Sequence, residues 1–282
     1  YNKKTDNILL AVPLPAVSVG VINATYVNAG IVSNKGFELG VQYRNRDHAF
    51  KYEIGANAST QKNKVEQLYD FVPNIIDNVN HTITQPGYTV NSYYGLQFAG
   101  IYQNEAEISS YLHTNTNGAK PGDIKFRDVN NDGQIDDNDR TTLGNNIPRL
   151  FYGFNFSASY KNFDFAFMFQ GVNGADRYND LKQILNYDTR PFNSTTDVLN
   201  AWNGEGSTNT TPRLTFNDNG GSKVSSVFVE DASYLRLKNI ELGYTVHLEK
   251  LRINSFRIYA SGQNLLTFTR YSGLDPESTL LK

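Results

Sequence analysis

The clearest signal in the chain is a period of two. Phe37, Leu39, Val41 and Tyr43 are apolar or aromatic, while Glu38, Gly40, Gln42 and Arg44 between them are small or polar. After Asn45, Arg46, Asp47 and His48 the rhythm resumes, with Phe50, Tyr52, Ile54, Ala56 and Ala58 set against Lys51, Glu53, Asn57 and Ser59. Successive side chains of a strand point to opposite faces, so this pattern predicts two strands joined by a tight turn. A second pair repeats the design: Tyr152, Phe154, Phe156, Ala158 and Tyr160, a turn at Lys161 and Asn162, then Phe163, Phe165, Phe167 and Phe169. A third pair places Ile240, Leu242, Tyr244 and Val246 before a turn over 247–255, and Phe256, Ile258 and Ala260 after it. The first ten residues and the stretch around 227–237 read as further strand starts or extensions.

Between these hairpins lie long polar segments, about 11–30, 66–148 and 173–226, rich in Asn, Asp, Gly, Thr and Pro. They read as loops with short helices such as one near 180–185. Compact sandwiches join their strands by about 4–6 residues. Short turns at one end and very long loops at the other are instead the asymmetry of an antiparallel transmembrane β-barrel, whose extracellular loops are the long ones. Tyr43, Tyr52, Tyr160, Phe163, Tyr244 and Phe256 all fall near the short turns, where a barrel carries its interfacial aromatic girdle. A soluble core capped by aromatics would give the same alternation. Following the chain up and down counts about seven strands. A closed single-chain barrel needs an even number, so the expectation is a segment of a larger barrel.

Composition changes this picture in a few places. Of 282 residues, 18 are Tyr, 17 Phe and 22 Gly, against one Met and one Trp, a balance that favours strands and turns over helices. A net charge of -2 and the lack of any Lys/Arg cluster interleaved with aromatics argue against nucleic-acid binding. Without cysteine there are no disulfides, thiolate zinc sites or thiol nucleophiles. No run of about 18 apolar residues is present for a spanning helix, which leaves spanning strands open. The chain opens on Tyr1, and is read as processed or as a piece of something longer.

One segment, DVNNDGQIDDND at 128–139, carries metal-loop spacing. A twelve-residue calcium loop draws oxygen ligands from positions 1, 3, 5, 7, 9 and 12, with Gly at 6 for the sharp turn. Here these are Asp128, Asn130, Asp132, Gln134 through its backbone carbonyl, Asp136 and Asp139, around Gly133. All are hard oxygens, which favours Ca2+. Asp139 stands where the pattern has Glu, and its shorter reach leaves Mg2+ open. The flanks, with Ile124 and Phe126 alternating before and no helical period after, are extended rather than helical. The loop is therefore expected to clasp, not to switch a helix pair. The competing reading is an Asx-rich turn satisfied by its own backbone.

NAGIVSNKGFELGVQYRN, PGDIKFRDVNNDGQIDDNDRTTLGNNIPRLFYGFNFSASYKNFDFAFMFQG, VEDASYLRLKNIELGYT and RIYASGQNLLTFTRYSGLDPE, in this order, resemble the C-terminal part of SusC/RagA-type TonB-linked outer-membrane transporters. The resemblance implies a large, 22-stranded, plugged barrel in the outer membrane of a Gram-negative bacterium. It further implies import of oligosaccharides or peptides driven through TonB, with a SusD-like lipoprotein as partner. On this reading residues 1–282 are one stretch of barrel wall with extracellular loops, embedded in outer-membrane lipid, and the plug and TonB box lie outside the sequence.

Catalysis is not expected. His48, His81, His113 and His247 are scattered without zinc spacing. Carboxylate pairs such as Glu105 with Glu107, or Asp136 with Asp137, would serve glycoside hydrolysis only at a set separation across a cleft. Tyr93, Tyr94, Tyr102, Tyr111 and Trp202 either grip a cargo or, as expected for any one of them, pack the loops together. Glu38, Arg44, Glu53, Asp164, Gln170, Glu241 and Arg257 fall on the polar face, as lumen wall. The substrate-binding residues are not assigned. The rival class is a calcium-stabilised adhesin or structural β protein, and a weaker one is a surface hydrolase.

Overall fold

The computed structural model describes residues 1–12, 25–69, 72–113, 118–187, 193–248 and 253–277. Its frame is a meander. β1 (Asn2–Val12) pairs antiparallel with β2 (Thr25–Lys35), which pairs with β5 (Lys62–Leu68). β3 (Glu38–Asn45) continues β2 after a two-residue break, and β4 (Phe50–Thr60) runs into β5 past Gln61. The pairing of Lys35 with Lys62 thus carries on as Glu38 with Ser59. The six-stranded sheet extends from β3 and β4 to β12 (Leu150–Tyr160), β13 (Phe163–Asn173), β16 (Tyr234–Leu248) and β17 (Ile253–Thr269). Counting β2 with β3 and β4 with β5 as single bent strands gives seven, as the alternation predicted.

Register aligns the alternating residues into rows. Tyr43, Ile54, Phe156, Phe167 and Ile240 are successive cross-strand partners, as are Phe50, Tyr160, Phe163 and Tyr244 nearer the turns. Phe154, Phe156, Phe165, Phe167 and Phe169 meet at ring separations of 5.4–6.4 Å, spacing at which aromatic pairs attract beyond simple burial. Yet this face is uncovered: Leu39, Val41, Tyr43, Phe163, Leu242, Phe256 and Ile258 are all more than half exposed. The other face is bare too, and polar.

The long inter-hairpin segments differ from the expectation of loops with short helices. They fold into an outer lobe with its own core. Between β5 and β12 the chain forms β6 (Ile75–Asp77), β7 (Thr82–Thr84), β8 (Ser92–Gly95), β9 (Phe98–Ile101), helix α1 (Glu105–Tyr111), β10 (Ile124–Phe126) and β11 (Thr141–Gly144). Between β13 and β16 it forms β14 (Asp176–Tyr178), a short helical turn at Asp180–Lys182 and β15 (Val229–Asp231). Tyr93, Leu96, Ile101, Ile124, Phe126, Tyr178, Tyr187 and Phe228 pack together, Phe228 with no exposed surface at all. The loop boundaries shift inward as well. β2 begins at Thr25 and β5 runs to Leu68, so parts of the expected segments 11–30 and 66–148 are strand. Bulges at Thr5/Ile8 and Ile31/Val32 break the alternation that would have marked them. Residues 13–24 and the centre of the third turn, 249–252, lie outside the described residues.

Candidate functional site

The acidic segment is suspended between two fixed points. β10 enters it with Ile124 and Phe126 buried in the lobe core, and β11 leaves it paired to β8. Within it, every carboxylate but that of Asp137, which pairs with Arg140 at 2.9 Å, accepts a backbone N–H. Asp128 Oδ2 accepts the Gly133 N–H at 2.8 Å, and Asp132 Oδ1 accepts that of Gln134 at 2.8 Å. Asn130 Oδ1 accepts from the N–H of Asp132 at 3.0 Å, and Asp136 Oδ1 from that of Asn138 at 2.7 Å. Asp139, with no exposed surface, accepts the Val129 N–H on Oδ1 and the Asp136 N–H on Oδ2, both at 2.8 Å. It therefore ties the beginning of the loop to its end, and forms a capping box with Asp136 on the turn Asp137–Asp139.

Neighbouring residues that spacing alone did not point to hold the loop from outside. The backbone N–H of His113 donates to the Gly133 carbonyl at 2.8 Å, and its ring Nδ1 lies 3.0 Å from the Asp132 carbonyl. Gly133 has φ +77, and a Cβ there would collide with the His113 ring, so both conformation and contact require glycine. Tyr111 donates its hydroxyl proton to the Phe126 carbonyl and accepts the Asp128 N–H, each at 3.0 Å. His113 and Tyr111 are reached through helix α1, whose N-cap Asn104 accepts from Glu107 N–H at 2.8 Å. Burial works against the Glu107 carboxylate, but the Gln103 N–H and the Lys125 ammonium outweigh it and hold its pKa below the usual glutamate range.

Of the six expected ligand positions, the structure brings Asp128, Asn130, Asp132, Gln134, Asp136 and Asp139 into one closed loop. Among the described residues, however, no three Asp, Glu or His side chains are gathered as a ready cation cage. One atom stands out: Asp128 Oδ1 is buried without a hydrogen-bond partner.

The loop aromatics pack the lobe. Tyr93 and Tyr102 are buried, Tyr93 lies 6.3 Å from Tyr178, and Trp202 donates its indole N–H to Gln103 at 3.1 Å. On the polar face of the sheet the charged residues pair across strands. Arg44 Nε meets Glu53 at 2.7 Å, while Arg257 bridges Asp164 and Glu241. Glu38 accepts from Ser59 at 3.4 Å. Gln170 stands opposite Arg236 in the register. His81 contacts Tyr178 and lies 3.8 Å from Asp180; His48 and His247 are exposed near the turns.

No protein-family model matches the chain. Curated relatives do. TonB-dependent receptor P3 of Formosa agariphila is 33% identical over 289 residues, covering 99% of this chain and 28% of the relative. TonB-dependent receptor SusC of Bacteroides thetaiotaomicron is 28% identical over 299 residues, 98% of this chain and 27% of the relative. Among solved structures, the RagAB peptide transporter superposes with a TM-score of 0.78 at 24% identity, over 98% of this chain and 29% of that one. The chain thus spans less than a third of the length of the proteins it matches.

Proposed function

Since the chain is homologous over nearly its whole length to TonB-dependent receptors that include SusC, we propose that it is the C-terminal wall segment of a SusC-like outer-membrane importer. The observation that carries this reading is the seven-strand meander with two uncovered faces, one apolar and ringed, the other lined by cross-strand ion pairs. A sandwich would bury its apolar face against a second sheet. A barrel in lipid leaves it bare and turns the polar face to a lumen.

In this reading residues 1–282 belong to one barrel of about 22 strands that closes around a plug. The outer lobe faces the cell exterior, where a SusD-like lipoprotein meets it, and TonB, acting through an N-terminal plug region, drives uptake of glycan or peptide. No bond-making chemistry is assigned. The test is extraction of the full-length protein. It is expected to leave the outer membrane only with detergent and to run faster on gels unheated than heated. A detergent-free soluble monomer would overturn the importer and favour the adhesin.

The acidic loop is proposed as a divalent-cation clasp, with Ca2+ preferred, on the strength of the unpartnered Asp128 Oδ1 at ligand position 1. Binding would draw Asp132 and Asp136 away from their present backbone donors, so the loop is expected to tighten around the ion rather than receive it ready-formed.

A further inference from the structure

β12 pairs with β4 along its full length, from Tyr160 with Phe50 to Leu150 with Thr60. Gln61 N–H still donates to the Arg149 carbonyl at 2.8 Å, and beyond that contact the two strands part. β5 stays with β2, and its other edge is met by a tight turn instead: Val65 N–H donates to the Tyr88 carbonyl and Gly87 N–H to the Val65 carbonyl, each at 2.8 Å. The separation leaves an open cleft of about 960 Å3 between wall and outer lobe. Its lining includes Gln61, Lys62 and Asn63 after β4, and Thr142, Asn145 and Arg149 from β11 and the approach to β12. Gln61 continues the polar-face series Lys51, Glu53, Asn57 and Ser59 of β4, so the cleft is continuous with the polar side of the wall.

Its charge is unbalanced. Lys64 is matched by Glu66 at 2.9 Å. Lys62 and Arg149, both exposed, have no salt bridge among the described residues. The one carboxylate in the lining, Asp176, accepts the Asn145 N–H at 2.7 Å and feels the Arg149 charge without a salt bridge to it; burial prevails and raises its pKa. Thr142 Oγ1 is buried with no hydrogen-bond partner, a neutral polar group awaiting one.

We propose that this cleft binds a carboxylate-bearing ligand, with Lys62 and Arg149 holding the carboxylate and Thr142 and Gln61 meeting its hydroxyl or amide groups. Arg149 offers the planar fork that matches a carboxylate in two hydrogen bonds, and Lys62 adds a point charge. Calling this ligand cargo rests on the importer reading; the binding itself does not.

The experiment uses full-length protein in detergent and titrates trigalacturonate, its methyl ester, triglutamate and triglutamine by calorimetry. At least one acidic probe is expected to bind while its neutral counterpart does not, and the member that binds tells saccharide from peptide. Lys62→Gln should weaken that binding about tenfold, the loss of one charge-assisted hydrogen bond, and Arg149→Gln by at least as much, since its fork supplies two. Both side chains are exposed, so unchanged melting temperatures will certify the fold. Equal binding of acidic and neutral probes, no binding of any, or variants that bind like the parent would each overturn the proposal. Loss of the cleft with TonB-driven uptake intact would leave the importer reading standing, whereas a soluble monomer that still binds would do the reverse.

Discussion

Asp139 is a carboxylate held without solvent, and each of its oxygens accepts one backbone N–H. Asp139→Ala removes both acceptors and is expected to cost about 2 kcal/mol of lobe stability, read as earlier proteolysis of residues 118–149 with the sheet intact. Asp128→Ala acts elsewhere, deleting the unpartnered oxygen. Calorimetry with Ca2+ should show heat for the parent and none for this variant; equal heats would end the clasp proposal. Glu230 supplies a pH dependence. Burial opposes its charge, yet the Ser272 N–H and the Lys182 ammonium prevail and hold its pKa below the ordinary 4.5. Because the folded value is depressed, the stabilisation is complete above pH 4.5 and is lost as the pH falls through the lower folded value. The protection factor for amide exchange in 270–277, corrected for the intrinsic pH dependence, should fall in that acid window and remain flat from pH 6 to 8. The ligand spacing of 128–139 was legible in the sequence, but its external supports were not. His113 sits a whole segment away, and only the turn after α1 lays its ring on Gly133.

The strands test the two faces directly. Phe167 and Met168 are neighbours on β13, one in the aromatic row and one on the polar side opposite Asn155 and Asn239. Phe167→Arg is expected to destabilise the folded protein in detergent or lipid by about 2–4 kcal/mol, while Met168→Arg stays within about 1 kcal/mol. Chemical unfolding in vesicles measures both, and equal costs would show that neither face meets lipid. This contrast was readable from the alternation, because each hairpin strand is long enough for period two to repeat several times. The small strands of the lobe were not. β6, β7, β10, β14 and β15 have three residues each, too few to display any period; β10, β14 and β15 are set by burial around Tyr178 and Phe228, and Ile75 of β6 packs on Val32, Val65, Leu68 and Val72. A tract rich in Asn, Gly and Thr looked like open loop because its apolar residues arrive singly, and form buried clusters only when brought together.

At the scale of the molecule, the wall and the lobe are built by different rules. The wall joins sequence neighbours by short turns on one side. On the other, among the described residues, it departs twice, leaving from β5 to return at β12 and leaving from β13 to return at β16. At both departures the flanking residues are themselves close partners in the sheet: Thr60 stands opposite Leu150, and Val172 opposite Tyr234. Replacing residues 62–149 by a short turn removes β5 from the edge of β2 but should leave the β4–β12 register unchanged, with assembly of the protein read by its heat-modifiable mobility. Because Thr60 and Leu150 face each other whatever lies between them, the lobe beyond that rung and beyond β5 is a graft. Lineages can exchange, lengthen or rewrite it by recombination at one fixed seam, and the scaffold that carries it does not have to be rediscovered each time.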